Sequence, residues 1–236
     1  MAAMMFAGRT VSAQTHELAS WTSLSVKKNF TKDFNLTFRE ELRIKDNLQS
    51  TDIYFFRLTA GYNINSWLSC AVSYDYLSTH VGSTTQGTLQ VDDYTKHTHR
   101  VLADISGTYR PGRFSINLRE RYVYAYTRGQ SVAAIDEDGL YQTWALEAGS
   151  SHLLRSRLTV AYHIKDSKWA PYWGPEFYNK LDSGSHFELS QICWHNGVTF
   201  KVDQVNTFKF YYCCQSKYPS KANCHALGID YIITLP

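Results

Sequence analysis

The sequence predicts an all-β chain folded as an antiparallel up-and-down transmembrane β-barrel of about 10–12 strands, with twelve slightly favoured. Three observations carry that expectation. Apolar and polar residues alternate in segment after segment at the two-residue period of a strand. Tight connections alternate along the chain with long polar ones, as they do in barrels that gather short turns at one end and long loops at the other. The polar strand faces carry Arg and Glu and little Lys. That choice suits a crowded interior in which planar, multidentate donors bridge carboxylates, whereas wet surfaces favour Lys.

Composition sets the outer bounds. The 236 residues suit one all-β domain or barrel. Hydrophobic residues make up 44% and charged residues 19%, with 17 Tyr, 12 Phe and 6 Trp. Mean hydropathy is −0.35, and no window approaches the apolar run that a spanning helix needs. A net charge of +3 is too small to imply nucleic acid. A secreted β-sandwich shares this composition, so the sorting of connections has to separate the two folds. Greek-key crossings would not sort them into short and long.

The chain opens with "MAAMMFAGRTVSAQT", a short apolar piece followed by the small-residue pattern Val11-Ser12-Ala13-Gln14. It reads as the remnant of a signal peptide over residues 1–13, cleaved after Ala13, although a basic leading region is missing. A disordered N-terminal arm is the alternative. Residues 14–236 then form a single barrel domain. No Cys follows the apolar piece, which argues against lipidation there.

The first clear strand is "FNLTFREELRIK", residues 34–45. Phe34, Leu36, Phe38, Leu42 and Ile44 share one face; Asn35, Thr37, Arg39, Glu41 and Arg43 share the other. "DIYFFRLTAGYNIN" alternates in the same way, and a turn near Asn65 leads into "WLSCAVSYDYLS". "HRVLADISGTYRPGRFSINLRERYVYAY" is a hairpin folded at Arg110-Pro111-Gly112-Arg113. "LLRSRLTVAYHI" turns near Asp166 into "WAPYWGPEFYNKL". The last strands are "FELSQICWHNGVTFKV", "NTFKFYYCCQ" and "HALGIDYIITL", with a turn near Asp203. Plain counting gives about eleven strands, whereas bacterial single-chain barrels are usually even-numbered. "LYQTWALEAG", residues 140–149, would bring the count to about twelve, and a ten-stranded closure with a terminal segment outside the wall also fits.

In a barrel the greasy face meets lipid and the polar face lines the lumen. Alternation then turns Arg39, Glu41, Arg43 and Arg57 inward from the early strands. Arg100, Asp104, Arg119 and Arg121 follow from the central hairpin, and Arg155, Arg157, Glu176 and Glu188 from later strands. Tyr and Trp near strand ends fit interfacial girdles. Glu40 and Glu120 fall on the greasy side, where a charge is costly; a β-bulge beside each Arg-Glu pair would turn them inward.

The 5 Cys are odd in number, so at least one is free. Cys213 or Cys214 can meet Cys193 or Cys224 on a neighbouring strand, but mostly reduced, structural thiols are expected, with Cys70 and Cys214 toward lipid. Without a CxxC pair, zinc is not expected. His97-Thr98-His99 presents two imidazoles on one face with no evident third ligand. His186, Glu188 and Ser190 supply the residue types of a catalytic triad, but side chains two apart on a strand do not converge as one. No nucleotide fingerprint occurs and no cofactor is implied.

The succession "FREELRIK", His99-Arg100, "LRERYVYAY", "LLRSRLTVAYHI" and "APYWGPEFYNKL" resembles the domain of unknown function 2490 family, over residues 17–231. The resemblance implies a barrel in the outer membrane of Gram-negative bacteria and little chemistry. A more distant likeness, in fold only, is to Arg-lined porins that pass acidic oligosaccharides, and fold does not fix function. The expected role is a small channel for small or anionic solutes, with outer-membrane lipid and lipopolysaccharide as surroundings. A non-conducting structural barrel or a subunit of an envelope complex is the alternative, and a lipid-modifying barrel enzyme the second. Other envelope proteins are then the remaining partners; nucleic acid is not one.

Overall fold

The computed structural model describes residues 16–181, 187–218 and 223–236. The expected cleavage site at Ala13 lies outside these residues. Among the described residues fifteen strands follow one another. They are β1 (His16–Asn29), β2 (Phe34–Lys45), β3 (Ser50–Asn63), β4 (Leu68–Val81), β5 (Thr84–Gln86), β6 (Leu89–Val91), β7 (Tyr94–Tyr109) and β8 (Phe114–Thr127). After them come β9 (Gln130–Ile135), β10 (Tyr141–Leu146), β11 (Gly149–Tyr162), β12 (Trp169–Leu181), β13 (Phe187–Lys201), β14 (Asn206–Lys217) and β15 (Asn223–Leu235). Eleven of them close a barrel in the order β1-β15-β14-β13-β12-β11-β8-β7-β4-β3-β2. The four short strands form a separate sheet, β10-β9-β6-β5, built from the two longest loops.

The wall therefore has eleven strands rather than twelve. "LYQTWALEAG" does contain a strand, but β10 has only six residues and pairs with β9. A membrane-crossing strand needs about 9–11 residues, so β10 is too short for the wall. An odd count has a topological consequence. β1 starts at the long-loop end, β15 finishes at the short-turn end, and the two must close the barrel in parallel. Every other wall pair among the described residues is antiparallel.

The β3–β4, β7–β8, β11–β12 and β13–β14 turns fall where the sequence places them and share one end of the barrel with the β1–β2 turn, whereas the four-residue β2–β3 turn, residues 46–49, lies at the other end. Side chains fix them locally. Asn65 Oδ1 accepts from the backbone N–H of Trp67 and Leu68 at 2.9 and 2.8 Å. Asp203 Oδ1 accepts from Val205 N–H at 2.8 Å and Asn206 N–H at 2.6 Å. These are Asx-type turns, in which the side chain replaces a backbone acceptor. The Asn206 side chain, with those backbone donors, holds the Asp203 carboxyl below the usual range. Gly112 takes a φ of 60°, the left-handed conformation that follows Pro111 in its turn.

Polarity is inverted relative to a water-soluble domain. Leu58, Val72, Leu118 and Leu227 are each more than half exposed on the outer face, whereas Asp75 and Glu176 inside are 0% and 1% exposed. Alternation does this: each strand turns one parity outward and the other inward.

The parallel seam is testable by cross-linking. Thr22 on β1 and Ile229 on β15 are registered opposite each other on the outer face. With Cys70, Cys214 and Cys224 changed to Ser, a Thr22→Cys, Ile229→Cys variant should be joined intramolecularly by a short thiol cross-linker. An absence of cross-linking in the folded protein would contradict the closure.

Candidate functional site in the charged interior

Four carboxylate-centred clusters occupy the inner wall. The first uses the period-two spacing of "RxExR" on β2. Glu41 accepts from Arg39 Nη2 at 2.5 Å and from Arg43 Nε at 2.6 Å. Arg39 also reaches Asp230 on β15 at 3.1 Å, and Asp230 accepts from Ser23 Oγ on β1 at 2.6 Å. The Arg43 guanidinium stacks 4.1 Å over the Trp21 ring, a cation–π contact that covers its planar face.

The second cluster is set by register. Arg57, Asp75 and Arg100 are direct partners across β3, β4 and β7. Arg57 donates to both Asp75 oxygens at 2.6 and 2.7 Å, and Arg100 donates to Oδ2 at 3.0 and 2.6 Å. Phe55 lies beneath both guanidinium groups, at 5.5 and 5.9 Å. In the third cluster Arg121 forks onto its registered partner Asp104 at 2.6 and 2.5 Å.

The fourth centres on Glu176 of β12. Its Oε1 accepts from Arg119 at 2.7 Å and from Arg155 Nε at 3.1 Å. Arg155 also donates to the Tyr178 hydroxyl at 2.8 Å, and His195 Nε2 lies 3.3 Å from Glu176 Oε2. Elsewhere the inner wall takes tyrosine rings laid over glycines. A Cβ at Gly228 would sit 2.1 Å from the Tyr211 ring, and one at Gly197 would sit 2.8 Å from Tyr172, so only glycine admits these rings.

Positive charge is in surplus. Arg157 faces inward in register with Glu176, yet no carboxylate among the described residues lies within ion-pair distance of it. Lys209 faces inward on β14 in register with Asp230, and it too lacks an ion pair there. Arg119 Nε is buried without a hydrogen-bond partner. At the long-loop end, a cleft of about 320 Å³ opens beneath the small sheet, lined in part by Lys96, Arg128 and Glu147.

Ten of the twelve interior residues expected from the sequence form the clusters above, and Arg157 faces inward beside them. Glu188 does not join them. A register shift beside Tyr178/Asn179 pairs it with Lys180 near the long-loop mouth, where it is exposed. The bulges expected at Glu40 and Glu120 are also absent. Register runs unbroken through both, and the β2 irregularity falls at Arg43/Ile44. Both carboxylates stay on the outer face, where Glu120 accepts from Ser156 Oγ at 2.6 Å.

Three of the five cysteines, Cys70, Cys214 and Cys224, are free, while Cys193 and Cys213 form a disulfide, one of the neighbouring-strand pairings the sequence allows. Both bonded residues face inward from neighbouring strands, one diagonal step apart. His97 and His99 face outward, hydrogen-bonded through Nδ1 to the hydroxyls of Tyr76 and Tyr74. His186 lies outside the described residues, and Ser190 Oγ donates to the Tyr178 carbonyl. Sequence reasoning missed Asp75, Asp230, Lys209 and His195. The first two were within reach, since each sits between outward aromatic or aliphatic residues in "YDY" and "IDY".

Removal of a central carboxylate should be costly. Asp75→Ala would leave Arg57 and Arg100 facing each other, so about 3–5 kcal/mol of stability should be lost. Arg157→Ser orphans no acid and should cost clearly less. Denaturant unfolding of the detergent-folded barrel would measure both, and equal losses would contradict this assignment of partners.

No curated protein matches this chain. A family model described as Protein of unknown function (DUF2490) matches residues 18–225, which is most of the barrel. The chain belongs to that family.

Proposed function

We propose that this protein lies in the bacterial outer membrane as a narrow channel that favours small anionic solutes. The observation that carries the reading is the cationic surplus of the interior: among the described residues Arg157 and Lys209 have no carboxylate within ion-pair distance, and a buried Arg119 N–H is left over. Fixed positive charge in a low-dielectric bore attracts anions and repels cations. Membrane insertion is supported by the apolar outer face and by aromatic residues at both of its edges. Trp67, Tyr109 and Phe114 stand exposed toward the short turns, and Tyr54, Tyr124 and Tyr126 toward the long loops. Such belts suit headgroup levels, with lipopolysaccharide as the outer-leaflet neighbour.

A second reading rests on a different observation. Asp75 and Glu176 are almost wholly shielded from solvent, so the waist is packed with side chains around them. A structural barrel or a subunit of an envelope complex would need no more than that.

Reconstitution in planar bilayers separates the two. The channel reading expects detergent-dependent extraction, small conductance and anion preference in a salt gradient. Arg157→Ser combined with Lys209→Ser should lower that preference without orphaning an acid. A folded double variant with unchanged selectivity would remove these residues from transport. A wild type with no conductance would overturn the channel and leave the structural reading.

A further inference from the structure

We propose that Cys193, His195 and Cys213 form a binding site for a soft divalent metal of the zinc class inside the barrel, open when the Cys193–Cys213 disulfide is reduced. Strand geometry assembles the three ligands. Cys193 and His195 are two residues apart on the inner face of β13, and Cys213 of β14 is registered opposite His195. Ligand atoms from all three lie within 4.8 Å of one another, and all three side chains are buried or nearly so. In a tetrahedral site with Zn–S of about 2.3 Å and Zn–N of about 2.0–2.1 Å, ligand atoms stand about 3.5–3.8 Å apart. Side-chain rotation alone covers that difference.

The surroundings fit the ion. Glu176 lies 3.3 Å from His195 Nε2, but the nitrogen is buried and not aligned to hydrogen-bond with it. A carboxylate behind a ligating imidazole orients it and raises its basicity, which makes Glu176 a positioning residue. Its Oε1 is already held by Arg119 and Arg155, so its place is fixed. Charge balance favours the site too. Two thiolates neutralise a divalent cation, and the complex adds no charge to an interior that is already cationic. Cys224 packs against the same cluster but is not among the three converging ligands.

The chemistry balances with a dithiol as reductant. The dithiol gives two electrons and two protons to the Cys193–Cys213 bond, which yields two thiols, and is itself oxidised to a disulfide. Metal binding then displaces one proton from each thiol. In the reverse exchange the oxidised dithiol takes two electrons from the thiolates and two protons from water, the Cys193–Cys213 bond re-forms and the ion is released, so occupancy follows the redox state of the pair.

Cadmium is the probe, because its thiolate complexes absorb in the ultraviolet. Full-length barrel folded in detergent would be reduced with a dithiol, desalted without air and titrated with cadmium. One equivalent should bind with thiolate-to-cadmium absorption, and the oxidised protein should bind none there. Cys213→Ser should abolish the absorption. His195→Ala keeps the disulfide for folding, so it tests the site even where the Cys variant fails to fold, and it should weaken binding at least tenfold. Glu176→Gln should weaken it about 10–100-fold without changing the stoichiometry. Cys224→Ser should leave it unchanged. Reduced wild type that binds no stoichiometric cadmium would overturn the proposal. So would binding indifferent to His195→Ala, or binding lost with Cys224→Ser.

Discussion

A carboxylate shut inside the wall is the constraint on which this structure depends. Asp75 and Glu176 have almost no contact with solvent, and an ion so placed loses several kcal/mol of hydration. Only charged donors at hydrogen-bond distance can offset that loss, and guanidinium forks supply them. Because Arg57, Asp75 and Arg100 are direct partners, the ion pairs also fix the register of β3, β4 and β7. A slip of one residue would carry every charge to the outer face and every aliphatic side chain inward. Register, polarity and charge pairing are thus one choice made once.

The same device holds the seam. Parallel pairing is slightly less stable per residue than antiparallel, and β1 with β15 is the parallel pair of this wall. Asp230 of β15 accepts from Ser23 of β1 and from Arg39 of β2, which ties three neighbouring strands together at that point. Arg39 in turn belongs to the Glu41 cluster, so the seam is continuous with the charged interior. An odd strand number is tolerable here because side chains reinforce the closure.

Period-two alternation and turn chemistry made the barrel readable, since both are local. "FNLTFREELRIK" announces its two faces without reference to any other strand, and Asn65 and Asp203 announce their own turns. Features that depend on distant partners were not readable. β10 has the pattern of a wall strand, and only its length and its pairing with β9 remove it from the wall. Glu188 depends on a bulge that alternation cannot foresee. Glu40 and Glu120 simply break the rule, and nothing in the described structure turns them inward. The meeting of Cys193, His195 and Cys213 required the β13–β14 register, which sequence spacing does not give.

The inversion itself is central: apolar side chains form the outer face, which the proposed membrane location would set against lipid, and charged ones face a shared interior. Fluorescent labels placed one at a time in liposome-reconstituted protein test it most directly. Leu58→Cys and Leu118→Cys report the outer face, and Thr59→Cys and Asn117→Cys report the inner one, with the native free cysteines Cys70, Cys214 and Cys224 changed to Ser. The account predicts that lipid-borne quenchers extinguish the first pair and spare the second. Lipid quenching of Thr59 and Asn117 labels, or aqueous quenching of Leu58 and Leu118 labels, would contradict it.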